Sequence, residues 1–210
     1  MNKIFSLSSE LKEIYVLFYE QIEKRLLDFQ KVKDENIFYE FCFCILTPQS
    51  SAENAWIVQD ILKEKNFLYK KFNPVKILSN KKNYIRFHNV KTKRLLNSIE
   101  YYPTLINLLD NEKDAFTIRK KIVCDFSGIG MKEASHFLRN IGFKNLAILD
   151  RHIIENLYNC GVIDTCITPK NERKYLEIEK NMRQFAKQIN IDMDFLDLLF
   201  FAKSTGKVLK

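Results

Sequence analysis

The stretch Phe126-Ser127-Gly128-Ile129-Gly130-Met131-Lys132 decides how this chain is read. A helix is predicted over 112–125, before it. After it, Ala134, Phe137, Leu138 and Ile141 recur at helical spacing and predict a second helix from about 131 to 140. In that helix the apolar residues form the buried stripe, and Lys132, Ser135 and Arg139 share the opposite side. Gly128 and Gly130 therefore join two helices through a tight hairpin. Glycines let the backbone turn sharply and expose the unpaired N–H groups of a helix start, where the dipole adds partial positive charge. A phosphate can dock on such main chain, in a contact blind to base sequence and sensitive to salt. A Gly-x-Gly pair taken alone is in most cases a plain turn or cap, and it is the flanking helices that give this one weight.

Two side chains give the hairpin chemical meaning. Lys132 sits at the mouth of the second helix, and a partly buried lysine there is a candidate amine nucleophile as well as an ordinary surface cation. Asp150 follows 18 residues later in Ile148-Leu149-Asp150-Arg151-His152. Aspartate is a favoured helix N-cap. A capping carboxylate is also held rigidly, which suits a catalytic role. A phosphate grip, an amine and a carboxylate together point to work on a nucleotide within DNA.

The rest of the chain bounds that reading. The 210 residues fit one domain or two closely packed subdomains, and 46% hydrophobic residues can bury a real core. The formal net charge of +8 suits a polyanionic partner, or equally a lysine-rich solvated surface. No run of 18 apolar residues predicts a membrane span, and Met1-Asn2-Lys3-Ile4-Phe5-Ser6 lacks a signal-peptide core, so a cytoplasmic protein is expected, working with the chromosome in a prokaryote. The five cysteines, Cys42, Cys44, Cys124, Cys160 and Cys166, are odd in number and loosely spaced. They are expected to be buried free thiols, with no iron–sulfur centre and no structural zinc.

Only 5 glycines and 4 prolines interrupt the chain, which suits an all-α fold. Leu11, Tyr15, Phe18, Ile22, Leu26 and Phe29 lie near one face of a helix over 8–30. Asp34 can cap a second helix that Pro48 ends, and Ser50 or Ser51 a third. A short helix near 75–79 and a loop, Asn83-Tyr84-Ile85-Arg86-Phe87-His88-Asn89, precede helices at 91–101 and 103–109. Asp150 opens a helix toward Leu157, Asn171 starts a long one, and Asp192 precedes the last.

The segment Gly128-Ile129-Gly130-Met131-Lys132-Glu133-Ala134-Ser135-His136-Phe137-Leu138-Arg139-Asn140, with Leu149-Asp150-Arg151-His152, resembles the helix-hairpin-helix DNA glycosylase superfamily. Within it the chain is most similar to the archaeal-type 8-oxoguanine DNA glycosylase/AP lyases. Cys42-Phe43-Cys44-Ile45-Leu46-Thr47, Arg173-Lys174-Tyr175-Leu176-Glu177-Ile178-Glu179 and Thr205-Gly206-Lys207-Val208-Leu209-Lys210 carry the same resemblance. It implies one helix-hairpin-helix glycosylase domain over 1–210, with a helical-barrel part at roughly 34–135. The N- and C-terminal helices would form a second subdomain, with the active site in the cleft between the two.

The resemblance also assigns roles. Lys132 attacks C1′ of a flipped-out nucleotide, and the resulting Schiff base allows β-elimination of the 3′ phosphate. Asp150 stabilises the charge developing on the sugar. Gly128 and Gly130 hold DNA, and the backbone carbonyls of Cys124, Phe126 and Ile129 match positions that hold K+ or Na+ in these hairpins. No cofactor is required. Gln49 resembles the residue that fills the gap left by the flipped base, while His88 and Asn89 lie where relatives probe the opposite strand. The main-chain carboxylate of Lys210 would read the protonated N7 of 8-oxoguanine. Phe201 would offer a stacking face where the family has tryptophan, and Pro48-Gln49-Ser50-Ser51 replaces an Ala-Asn-type run. The implied partner is double-stranded DNA containing an oxidised base, met by a monomer with no membrane association. Two other readings stand beside this one. The same chemistry could serve another oxidised base or an abasic site, and a non-catalytic module could use its hairpin only for phosphate contact.

Overall fold

A computed structural model describes residues 8–210. The stretch Met1–Ser6, read above for a signal peptide, lies outside the described residues. Those described form eleven α-helices and one 3-10 turn, with no strand among them. The chain divides into two compact units: Val32–Ile141, and the described part of Met1–Lys31 together with Gly142–Lys210.

The Val32–Ile141 unit is built around α2 (Glu35–Leu46), in which every residue from Phe38 to Leu46 is buried. A helix apolar on all sides belongs in a core. Against it pack α3 (Ala52–Glu64), α6 (His88–Asn111) and α8 (Met131–Asn140). The short α4 (Phe67–Lys70), α5 (Val75–Leu78) and a 3-10 turn (Lys81–Asn83) fill the path from α3 to α6, and α7 (Ala115–Asp125) packs on α8. Glu40 of α2 accepts from Gln59 Nε2 of α3 and from Asn140 Nδ2 of α8, both at 3.0 Å. This buried, bonded carboxylate fixes the register of three helices, since losing any donor would leave a buried charge short of a partner.

The other unit is built around α11 (Met193–Thr205), which buries a continuous run from Met193 to Phe200. It packs against α1 (Ser9–Gln30), α9 (Arg151–Asn159) and α10 (Glu172–Gln188). The apolar stripe expected on α1 is present, with Leu11, Phe18, Ile22 and Phe29 buried. Asn156 of α9 ties the unit together: its Nδ2 donates to Ser204 Oγ at 3.0 Å and lies 3.4 Å from the Phe200 carbonyl, both on α11.

Several expectations are corrected. Ser51, Asp150 and Asn171 do cap their helices by side-chain hydrogen bonds, and Asp192 precedes the last helix as expected, but Asp34, with φ +52°, makes no such bond. The two helices expected at 91–101 and 103–109 are one, α6, which runs through Pro103. Proline removes a single N–H donor. Ile99 before it and Leu105, Leu108 and Leu109 after it are buried, and their packing carries the helix across. His88 and Asn89, expected in a loop, form the first turn of α6. On α8 the side opposite the apolar stripe is partly exposed only at Lys132: Ser135 and Arg139 are buried, and Ser135 Oγ accepts from the buried Arg119 at 3.0 Å. All five cysteines are free, yet Cys124 and Cys166 are exposed, because they lie at a helix end and in a loop rather than on a core face.

Candidate active site

The hairpin forms where α7 ends at Asp125 and α8 begins at Met131. The chain turns at Gly128, whose φ is +97°. Gly128 is required by that dihedral; a Cβ there would also displace the movable guanidinium of Arg94 from α6. Gly130 corrects the expectation of two turning glycines. It is extended, with φ −97° and ψ −175°, a conformation open to any residue. Its N–H donates to Glu133 Oε2 at 3.3 Å. That bond satisfies one of the unpaired donors of the α8 start.

Lys132 is the second residue of α8, and its side chain is 31% exposed. Its Nζ lies 3.0 Å from Glu133 Oε1. One carboxylate thus spans the hairpin backbone and the amine. Arg94 stands over Gly128, and Lys91 of α6 belongs to the same electrostatic group. Arg94 and Lys132 around one acid leave net positive charge at the hairpin, as docking of a phosphodiester requires, while Lys91 is buried with its donors used and meets no phosphate.

The carbonyls of Cys124, Phe126 and Ile129 are oxygen donors of the kind a monovalent cation takes. Cys124 lies in the last turn of α7, where carbonyls run out of intrahelical donors. Phe126 C=O accepts only a long bond from Ile129 N–H, at 3.4 Å. This donor set fits the ion, whose chemistry would be to stiffen the hairpin and add positive charge under a phosphate. Among the described residues, no group of three or more His, Cys, Asp or Glu could hold a metal.

Gln49 is exposed and has φ +55°, in the turn after α2. Phe87 has φ +59° and caps α6; its exposed ring lies under the Arg86 guanidinium at 4.9 Å. Left-handed backbone at two non-glycine residues costs about 1–3 kcal/mol each and persists only where neighbours hold it. Here the holder is Lys91, only 2% exposed, which by sequence is the end of a basic stretch with no buried role expected. Its Nζ donates to the carbonyls of Leu46 at 2.6 Å and Pro48 at 2.7 Å, and to Ser50 Oγ at 3.1 Å. Ser50 Oγ also accepts from Arg86 N–H at 3.0 Å. Burial, then the Arg94 and Lys132 charges, lower the Lys91 pKa to about 8, against a smaller opposing pull from Glu133. The available signal was its spacing: Lys91 lies four residues before Leu95 on the inward stripe of α6.

In the other unit, Asp150 is the N-cap of α9, with Oδ1 accepting from Ile153 N–H at 2.9 Å. Its own N–H donates to the Ile148 carbonyl at 2.7 Å, a tight turn that further fixes the carboxylate. His152, two residues on, meets Phe201 of α11 edge to face, with ring centroids 5.5 Å apart. Asn156 sets that pairing by joining α9 to α11. Lys210 is half-buried. Asp150, His152 and Phe201 therefore come together in one unit, while Lys132, the hairpin, Gln49, His88 and Asn89 lie in the other.

An all-α chain with this glycine hairpin, and a lysine at the head of its second helix, has the fold of the helix-hairpin-helix DNA glycosylases. Solved structures agree. The fold matches the Methanocaldococcus jannaschii 8-oxoguanine glycosylase/lyase in complex with a 15mer DNA containing 8-oxoguanine at a TM-score of 0.85 and 32% identity, over 96% of this chain and 98% of that one. The Thermotoga maritima 8-oxoguanine DNA glycosylase matches at a TM-score of 0.84 and 29% identity, over 96% and 97%. In sequence, the 8-oxoguanine DNA glycosylase/AP lyase of Fusobacterium nucleatum is 38% identical over 96% of this chain and 97% of its own length. The model of the 8-oxoguanine DNA glycosylase family matches residues 22–191, and the chain belongs to that family. No helix among the described residues is long and apolar enough to cross a membrane.

Proposed function

We propose that this protein is a bifunctional DNA glycosylase/AP lyase that removes 8-oxoguanine from double-stranded DNA and then cleaves the strand on the 3′ side. The observation that carries the reading is Lys132, half-exposed at the start of α8 beside the Gly128 turn and held by Glu133 at 3.0 Å. The hairpin N–H groups take a phosphate, and the target nucleotide leaves the stack at a cost of about a few kcal/mol. The Lys132 amine, its proton passed to a carboxylate, attacks C1′ as the C1′–N9 bond breaks, and the base departs with the electron pair and takes up a proton. Ring opening gives an imine between Nζ and C1′. Loss of a C2′ proton then expels the 3′ phosphate as the C3′–O bond breaks. Water hydrolyses the imine and frees the amine. Asp150, rigid at its cap, balances positive charge on the sugar.

Phe201, its ring set edge to face against His152, offers the face on which the base stacks. Guanine presents an acceptor at N7. 8-Oxoguanine presents a proton there, so a carboxylate favours the lesion. The main-chain carboxylate of Lys210 takes this role where Lys210 ends the chain. Gln49, His88 and Asn89 contact the duplex around the gap. The protein works as a monomer on chromosomal DNA.

Borohydride trapping tests this. Wild type should become covalently linked to 8-oxoguanine duplex, and Lys132→Gln should not. Absence of a wild-type adduct on 8-oxoguanine, thymine glycol and abasic duplexes alike would leave only a DNA-binding role. An adduct on thymine glycol but not 8-oxoguanine would move the substrate to oxidised pyrimidines. Residues added after Lys210 should depress 8-oxoguanine excision far more than cleavage at an abasic site.

A further inference from the structure

We propose that Lys91 is a positioning residue for base excision: its ammonium locks the turn carrying Gln49 to the segment carrying Arg86, Phe87 and His88, so that both meet the duplex as one rigid edge. This rests on the reading above, in which these residues contact DNA.

An ammonium has three N–H donors and no acceptor. All three donors of Lys91 are placed, on the Leu46 carbonyl, the Pro48 carbonyl and Ser50 Oγ. The Leu46 carbonyl belongs to the last residue of α2, where a cation is favoured both as a hydrogen-bond donor and by the helix dipole. The Pro48 carbonyl and the Ser50 hydroxyl flank Gln49 on either side, so two of the three bonds bracket its left-handed backbone. The Ser50 hydroxyl passes the link on, since the same oxygen accepts from Arg86 N–H. A second tie runs in parallel, from Asn54 Nδ2 to the Tyr84 carbonyl at 3.2 Å.

A helix cap alone would need one carbonyl and an exposed side chain. Burying a lysine to 2% exposure beside Arg94 and Lys132 is unfavourable, and three directed bonds are what hold it there. What they hold is a pair of left-handed residues, Gln49 and Phe87, whose side chains are exposed. Exposed groups on backbone held this firmly suit a surface that must fill a gap in a base stack without first being ordered. Lys91 touches no reacting atom in this scheme. Its effect falls on holding an opened duplex, not on imine chemistry.

Lys91→Met keeps the length of the side chain and removes the donors. Loss of a buried charge offsets the two carbonyls left unbonded, so folding should survive. Excision of 8-oxoguanine from duplex should fall about tenfold or more, as misplacement of a positioning group does. Cleavage at an abasic site in single-stranded DNA, where no stack has to be held open, should stay within about twofold. A merely structural role would lower both together, and a parallel fall or an unchanged duplex rate overturns the proposal. Ser50→Ala, which removes the Lys91–Ser50 and Ser50–Arg86 bonds and leaves the ammonium on the Leu46 and Pro48 carbonyls, should shift the same ratio in the same direction; it decides the matter if Lys91→Met does not fold. Failure of wild type to cleave either substrate would instead refute the glycosylase/lyase reading itself.

Discussion

Alanine at each hairpin glycine should have very different consequences. At Gly128 the backbone has φ +97°, and the new methyl group would run into the Arg94 guanidinium. Holding a non-glycine residue in such a conformation costs about 1–3 kcal/mol. Taking about 2 kcal/mol, the unfolding midpoint should fall by roughly 4–8 °C for a chain of this size. Relief of the strain would swing the turn and pull its N–H groups off a docked phosphate. At Gly130 the dihedrals suit alanine, and the added Cβ would lie 3.2 Å from Glu133 Oε2, the movable end of a side chain. The small loss at an N-cap and the gain from a stiffer unfolded chain nearly cancel, so stability should stay within about 0.5 kcal/mol. Thermal melts of both variants give the first comparison. Affinity for an undamaged duplex, measured across a salt series, gives the second: losing one phosphate contact reduces the log–log slope by about 1 for Gly128→Ala only. Equal destabilisation by the two variants, or a larger effect at Gly130, would refute the assignment of the turn to Gly128.

Asp150→Asn should melt close to wild type, because asparagine caps as well as aspartate, yet lose about 10²–10³-fold in excision. Asp150→Ala should lose the activity and about 1 kcal/mol of stability as well; full activity in Asp150→Asn would reduce Asp150 to a cap. Lys91 has a folded pKa of about 8 against an ordinary 10.5, so the unfolded chain binds the extra proton between those values. Stability contributed at Lys91 therefore rises with pH from about 8 to about 10.5, and the melting difference between wild type and Lys91→Met should grow in favour of wild type across that window. A flat difference would mean Lys91 is solvated. Native protein should react with a thiol reagent at the exposed Cys124 and Cys166, while Cys42, its thiol pushed up by burial, should react only on unfolding, as peptide mapping of the label would show.

The pattern of apolar residues on its own determined the all-α class and most helices. Period and capping are local, and Ser51, Asp150 and Asn171 cap their helices through bonds to backbone three residues away. The positions of the hairpin, of Lys132 at the start of α8 and of Asp150 as the cap of α9 were legible for the same reason, while the roles proposed for the two side chains come from the family resemblance. Failures of the reading came where distant side chains decide. Pro103 does not break α6, because burial on both sides outweighs one lost hydrogen bond. Ser135 and Arg139 stand opposite the apolar stripe on a helical wheel, yet both are buried, and Ser135 is bonded by Arg119 of α7. Gly130 looks like a turning glycine and is extended.

Lys91 marks the boundary most sharply. By sequence it is one more lysine in a basic stretch, because a side chain's solvation depends on what the fold brings to it. Its acceptors, Leu46, Pro48 and Ser50, lie 41 to 45 residues earlier in the chain. Local sequence determined the helices, the hairpin and its lysine. Only packing across the α2–α6 contact decided that a second lysine would be buried, bonded and set to hold the exposed turn beside them.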